Sequence, residues 1–200
     1  MPGIRHWTIH DERIDFRSES YAVEVDGRWV LIDPLPLAET ALERFGPVAA
    51  IWLTGGFHQR AAWRLRQRFR VPVHVPIGAQ GLDERPDWEY TDGARIGKGL
   101  VALHRPGPTA PHYVFLLERE GGRAALFCAD LLMRAGDGPF AFVPDEHQDD
   151  PAGTRESVRR LLELDVDLLC PAHGEPALED GTEAMRKALE RDEAVRSGER

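Results

Sequence analysis

Two cysteines in 200 residues are too few for a disulfide framework. Cys128 and Cys170 are expected to behave as small buried hydrophobes. The opening stretch, MPGIRHWTIHDERIDF, has no apolar segment of the secretory kind, so no signal peptide is expected. No apolar run approaches the ~20 residues of a membrane span. Positive charge is in short supply: 25 Lys and Arg against 34 Asp and Glu leave a formal net charge of −9. That balance argues against a nucleic-acid backbone or an anionic membrane as partner. Linkers, low-complexity tracts and short internal repeats are lacking too. What is present is a globular composition, 42% apolar and 30% charged, in a chain long enough to bury a core. The expectation is one domain over residues 1–200, cytoplasmic, taking a small-molecule substrate or ligand, with oligomeric state left open.

The clearest local signal is SYAVEVDGRWVLIDP. Two β-branched and aromatic runs, 21–25 and 28–32, flank Asp26-Gly27, a strong hairpin signal. Pro34 and Pro36 stop the second run. LAETALERF (37–45) has helical spacing and Gly46-Pro47 ends it. VAAIWLT (48–54) is a continuous apolar run suited to a strand buried on both faces. A helix follows from about Gln59 to Phe69, then a short strand, VPVHVP. Residues 77–93 are rich in Gly, Asp, Glu and Pro and read as a loop. In the second half, GLVALHRPG reads as a strand entering a turn. HYVFLLERE and RAALFCADLL read as a hairpin about Gly121-Gly122. DPAGTRESVRRLLEL has an N-cap at Asp150 and proline at the first helical position. DVDLLCPAHGEP is a strand into a loop, and DGTEAMRKALERDEAV is the last helix. Such alternation predicts a layered α/β domain, with a two-half organisation whose seam lies in 76–95.

Four stretches place polar residues at the end of an apolar strand: LTGGFHQR (53–60), LHRPGPT (103–109), LFCADLL (126–132) and CPAHGEP (170–176). Strand ends share one rim of a sheet, so all four can serve one site. Taken in order, with the hairpin ending at Asp33, they resemble the metallo-β-lactamase superfamily. The resemblance spans roughly residues 20–176 and implies a four-layer αββα sandwich. It also implies hydrolysis of an ester, amide, thioester or phosphoester by a metal-activated water.

The departures from the family pattern are as informative. Its first metal-binding run falls on Gly55, Phe57, Gln59 and Arg60, none a usual zinc ligand, and its turn histidine falls on Pro108. Only Asp130 and His173 stand at ligand positions, and zinc wants at least three protein ligands. The usual dinuclear centre is therefore not expected. One divalent metal, zinc first, requires His58 to turn inward beside Asp130 and His173; otherwise no metal binds. These three residues are also the candidate catalytic group. Gln59, Arg60 and His104 are placed around the pocket, where Gln59 can orient a water but cannot take its proton as a carboxylate would. Without a metal, Asp130 needs another cation, and the guanidinium of Arg60 is the expected partner. Three readings stay open: a diverged hydrolase-like protein without the dinuclear centre, a mononuclear metal-dependent hydrolase, and a non-catalytic binder of small anions through Arg60 and Arg105. His104 reads as structural. His74 and His112 read as packing or solvent-facing, Glu146 and His147 as a solvated loop, and His6 and His10 as lacking convergent partners.

Overall fold

The computed structural model describes residues 3–12, 15–119 and 123–198. Strands β1 (Ile4–Asp11), β2 (Phe16–Val25) and β3 (Arg28–Ile32) form an antiparallel meander. Tyr21 pairs with Ile32 and Val25 with Arg28. Asp26 and Gly27 between them both take positive φ, 50° and 74°, the pair of conformations a two-residue hairpin loop selects. A short helix α1 (Glu39–Leu42) leads to β4 (Val48–Trp52). Helix α2 (Ala62–Phe69) then leads to β5 (Val73–Pro76), and β6 (Trp88–Tyr90) closes the sheet in the order β1 to β6. From β3 onward its strands run parallel.

The second sheet is built from β7 (Arg95–Ile96), β8 (Leu100–His104), β9 (Tyr113–Glu118), β10 (Ala124–Ala129) and β13 (Val166–Pro171), in the order β13-β10-β9-β8-β7. β9 and β10 pair antiparallel as expected; the expected Gly121-Gly122 turn lies outside the described residues. β11 (Met133–Arg134) and β12 (Phe140–Ala141) make a small hairpin. Helix α3 (Pro151–Leu161) begins at the Asp150 cap, whose side chain accepts from Gly153 N–H, and α4 (Gly181–Ser197) ends the chain.

Three buried clusters define the layers. One lies between the sheets and includes Tyr21, Ile32, Trp52, Phe115, Phe127 and Cys170. A second joins the first sheet to α2 through Leu53, Ala62, Trp63 and Leu65. A third joins the second sheet to α3 and α4 through Leu126, Cys128, Val158, Leu161 and Met185. The alternation of side chains along each strand sends one set inward and the other toward the helices. A fully buried Phe such as Phe115 contributes roughly 2–3 kcal/mol. The architecture is thus the four-layer αββα sandwich, and the seam falls between Tyr90 and Arg95, where the first sheet gives way to the second. No described helix is long and apolar enough to cross a membrane.

Some expectations need correction. The 37–45 segment is α-helical only over Glu39–Leu42; after it the chain tightens to i→i+3 bonds, Arg44 N–H to Ala41 O and Phe45 N–H to Leu42 O, before Gly46-Pro47. Trp88–Tyr90, inside the expected loop, is an edge strand. His6 has a partner after all, since its Nε2 stands 2.6 Å from the buried carboxylate of Glu19. His10 likewise lies 3.1 Å from Asp15.

Candidate functional site

The expected strand ends meet at one rim. β3 delivers Asp33, β4 delivers Thr54, and a single 3-10 turn, Gly56–His58, carries His58. Two glycines make that turn possible. A Cβ on Gly55 would press on the Phe57 ring, and one on Gly56 would collide with the Gln80 carbonyl. The Phe57 ring in turn packs against the His58 ring at 4.4 Å.

His58 is held from behind. Thr54 donates its N–H to Asp33 Oδ1 at 2.8 Å and its hydroxyl to Asp33 Oδ2 at 2.6 Å. The hydroxyl is then free to accept, which places the ring proton of His58 on Nδ1. That N–H faces Thr54 Oγ1 at 2.8 Å and Asp33 Oδ2 at 3.0 Å. Its Nε2 points forward, 3.1 Å from Asp130 Oδ2, but off the line a hydrogen bond needs.

His173 is built the same way. Its Nδ1 donates to the Arg17 carbonyl at 3.2 Å, and its Nε2 stands 3.5 Å from Asp130 Oδ1. Both histidines thus fix one ring nitrogen on protein and present the other, the arrangement that orients metal ligands. Asp130 follows β10 through Ala129, at φ 48°. Because the strand ends there, Cys128 does not share a face with Asp130; its side chain packs in the helix-side core.

Left-handed backbone at residues other than glycine gathers here. Asp26, Arg70 and Asp180 sit at a hairpin turn or helix ends, but Asp33 (44°), Arg60 (44°) and Ala129 (48°) surround the site. Such conformations cost about 1–3 kcal/mol each and persist where function holds them.

The donor geometry fits a metal ion. Ligand atoms of His58, Asp130 and His173 lie within 4.8 Å of one another. Donors about 2.1 Å from a common tetrahedral centre stand roughly 3.4 Å apart; His58 Nε2 lies 3.1 Å from Asp130 Oδ2 and His173 Nε2 3.5 Å from Asp130 Oδ1, so each histidine is near that spacing from one of the two carboxylate oxygens. His58 Nε2 and Asp130 Oδ1 are moreover buried with no hydrogen-bond partner, an expensive condition unless something binds between them. In the metal-free protein His58 Nε2 is compensated by charge instead, in an ion pair with the other carboxylate oxygen, Asp130 Oδ2, at 3.1 Å. Burial works to lower the His58 pKa, but Asp130 and then Asp33 outweigh it and raise it to about 9. Burial works to raise that of Asp130, yet chiefly His58 holds it well below the usual carboxylate range. Burial lowers that of His173.

The surrounding residues depart from expectation in instructive ways. Arg60 does not reach Asp130. Its Nη1 donates to the carbonyls of Glu19 (2.6 Å) and Asp33 (3.1 Å) and to Ser20 Oγ (3.4 Å). His58 occupies the place facing Asp130, and the left-handed backbone at Arg60 sends its side chain toward β2 and the end of β3. Gln59 has both its oxygen and one of its amide N–H groups engaged by the protein. Nε2 donates to Gly81 O, while Oε1 accepts from Asp83 N–H and Trp63 Nε1–H. His104 is structural, with Nε2 on Ala110 O and its ring against Tyr113. Arg105 lies within the field of Asp92, Arg160 and Glu163, toward α3.

His112 carries more than the sequence showed. Fully buried, it donates Nδ1–H to Arg105 O at 2.8 Å and accepts Asp130 N–H at Nε2, 3.4 Å away. Burial lowers its pKa to about 4, which keeps it neutral and able to accept. Neither His112 nor Thr54 stands out in the sequence, since each is recognisable only through its contact with a distant aspartate.

The loop after β13 is fixed by β11, where Arg134 N–H donates to His173 O at 3.0 Å. Gly174 follows at φ +89°, and a Cβ there would run into the Arg134 carbonyl. Gly174→Ala is therefore expected to destabilise by about 1–3 kcal/mol and to displace His173. Urea unfolding, together with metal affinity, checks both effects; an unchanged pair of values would remove this loop from the site.

Two face-packed sheets sheathed in helices, with a His-Asp-His group at their common rim that could hold a metal, define the class: an αββα sandwich with its candidate site at the strand ends. A family profile for the metallo-beta-lactamase superfamily matches residues 1–190, and the chain belongs to that superfamily. An archaeal metallo-beta-lactamase superfamily protein, ST1585 from Sulfolobus tokodaii, superposes with a TM-score of 0.75 at 17% identity, covering 96% of this chain and 86% of that one. A metallo-beta-lactamase from Pontibacter korlensis gives 0.71 at 19% identity, covering 94% of each chain. TTHA1623, solved in a di-iron-bound form, gives 0.66 at 25% identity, covering 91% of this chain and 98% of that one. Among curated proteins nothing matches.

Proposed function

We infer that this protein is a diverged member of its superfamily that holds a single divalent metal at His58, Asp130 and His173 and hydrolyses an ester, thioester or phosphoester. The observation that carries the reading is the cluster of His58, Asp130 and His173, whose ligand atoms lie within 4.8 Å of one another and in which His58 Nε2 and Asp130 Oδ1 are buried without a hydrogen bond. Among the described residues this is the one group of three such donors, which favours one metal over two. When bound, the cation acts as a Lewis acid and brings the pKa of a coordinated water toward neutrality.

The chain's own residues do the rest. Asp33 and Thr54 hold His58 in the tautomer that leaves Nε2 free. The Arg17 carbonyl does the same for His173. His112 fixes the main chain of Asp130. Phe57 and Phe16 pack against the two histidine rings and keep water from their flanks. Gln59, an amide, cannot serve as a base, and Asp130 is the carboxylate that completes the donor group between the two histidines.

Activity on 4-nitrophenyl acetate, an acyl thioester and bis(4-nitrophenyl) phosphate tests the reading. Turnover should vanish with chelator, return with one equivalent of zinc and be lost in Asp130→Ala. Turnover indifferent to chelator, or none on any class with zinc bound, would sink it.

A further inference from the structure

Arg60 occupies a position where its superfamily places a metal ligand, and its surroundings do not account for its charge. Its Nη1 alone makes all three of its bonds, and every acceptor is neutral. None of the ion pairs among the described residues involves it. The carboxylates beside it are already engaged. Glu19 is bound by His6 and Arg17, and Asp33 by Thr54 and His58. A partly buried guanidinium without a counter-charge is unusual, since buried charge is normally paired.

Its place in the fold is well determined. Of the two carbonyls it holds, that of Glu19 lies within β2 and that of Asp33 directly follows β3. Glu19 also donates its N–H to the carbonyl of Ala172, next to His173, and the side chain of Asp33 secures His58. The guanidinium is therefore fastened between the two segments that carry the candidate ligands. Its Nε and Nη2 make no hydrogen bond and are not sealed from solvent. The backbone at position 60 is left-handed, a conformation glycine would adopt without strain. An arginine is present there despite that cost.

The unbonded edge decides what this leaves room for. A guanidinium edge matches a carboxylate or phosphate with two parallel donors. We propose that Arg60 is the anion-recognition residue of this site, selecting substrates that carry a phosphate or carboxylate oxyanion beside the bond to be cleaved. That this anion lies beside a bond to be cleaved rests on the proposed function; the unpaired guanidinium does not.

The test is calorimetric titration of inorganic phosphate into the wild-type protein, Arg60→Gln and Arg60→Lys, each metal-free and zinc-loaded, with zinc content measured on the same samples. Phosphate affinity should fall tenfold or more in Arg60→Gln and by a smaller factor in Arg60→Lys, which keeps the charge but loses the fork. Zinc content should stay at the wild-type value. If Arg60→Gln does not fold, the Arg60→Lys loss decides. Equal phosphate affinity in wild type and variants overturns the proposal, as does a wild-type protein that binds no phosphate in either state. A wild-type protein that takes up no zinc while its phosphate affinity still depends on Arg60 overturns the metal reading and leaves the anion site standing.

Discussion

Protein purified without chelator is expected to carry one equivalent of divalent transition metal, and His58→Ala close to none. The argument is one of ligand number. Asp130 and His173 alone fall short of the three protein ligands a zinc site requires, and His58 Nε2 completes the group. Binding must also displace a proton. In the metal-free protein His58, with a pKa of about 9, is charged at neutral pH, and only neutral imidazole binds a metal. Uptake therefore releases one proton, and apparent affinity should rise about tenfold per pH unit until pH about 9, then level off. Elemental analysis reads the stoichiometry, and competition with a chromophoric chelator at several pH values reads the slope. Two equivalents per chain, or full occupancy in His58→Ala, would show that the ligands lie elsewhere.

The second large effect belongs to Asp33. It is buried, 4% exposed, and accepts from Thr54 N–H, Thr54 Oγ1–H and His58 Nδ1–H. Asp33→Ala strands the Thr54 N–H and hydroxyl in a dry environment, leaves His58 Nδ1–H with Thr54 Oγ1 alone, and removes a carboxylate beside charged His58. A loss of about 3–5 kcal/mol is expected. Asp33→Asn keeps the shape and should cost less, yet still lower metal affinity by about 10–100-fold, since the ring it orients is then poorly aimed. Denaturant unfolding separates the two variants. A metal affinity that survives Asp33→Asn unchanged would mean His58 needs no orienting.

How much of this was legible beforehand depended on the range of the interactions. The hairpin at Asp26-Gly27, the Asp150 cap and the strand ends at Asp130 and His173 are local patterns, written within a few neighbouring residues. The orientation of His58 is not. It depends on Gly56 meeting a carbonyl at Gln80 and on Asp33, 25 residues away in sequence. The path of Arg60 was misread because proximity in sequence to Asp130's rim does not fix side-chain direction, whereas a left-handed φ at its own backbone does. β1 and β6 escaped notice because edge strands bury little and keep weak alternation. His112 looked like one more strand residue, since nothing in its neighbourhood names Asp130 as its partner.

The amide of Gln59 bears on motion as well as structure. By grasping Gly81 O and Asp83 N–H from the start of α2, it anchors a polar surface loop that would otherwise open freely on the nanosecond-to-microsecond scale. That loop cannot swing as a lid over the rim without breaking two hydrogen bonds at once. The loop is thus expected to stand as a fixed wall beside Phe57 and Gly56. The main-chain proton of Asp83 should consequently exchange with solvent far more slowly than those of its loop neighbours, and Gln59→Ala should bring its rate up to theirs.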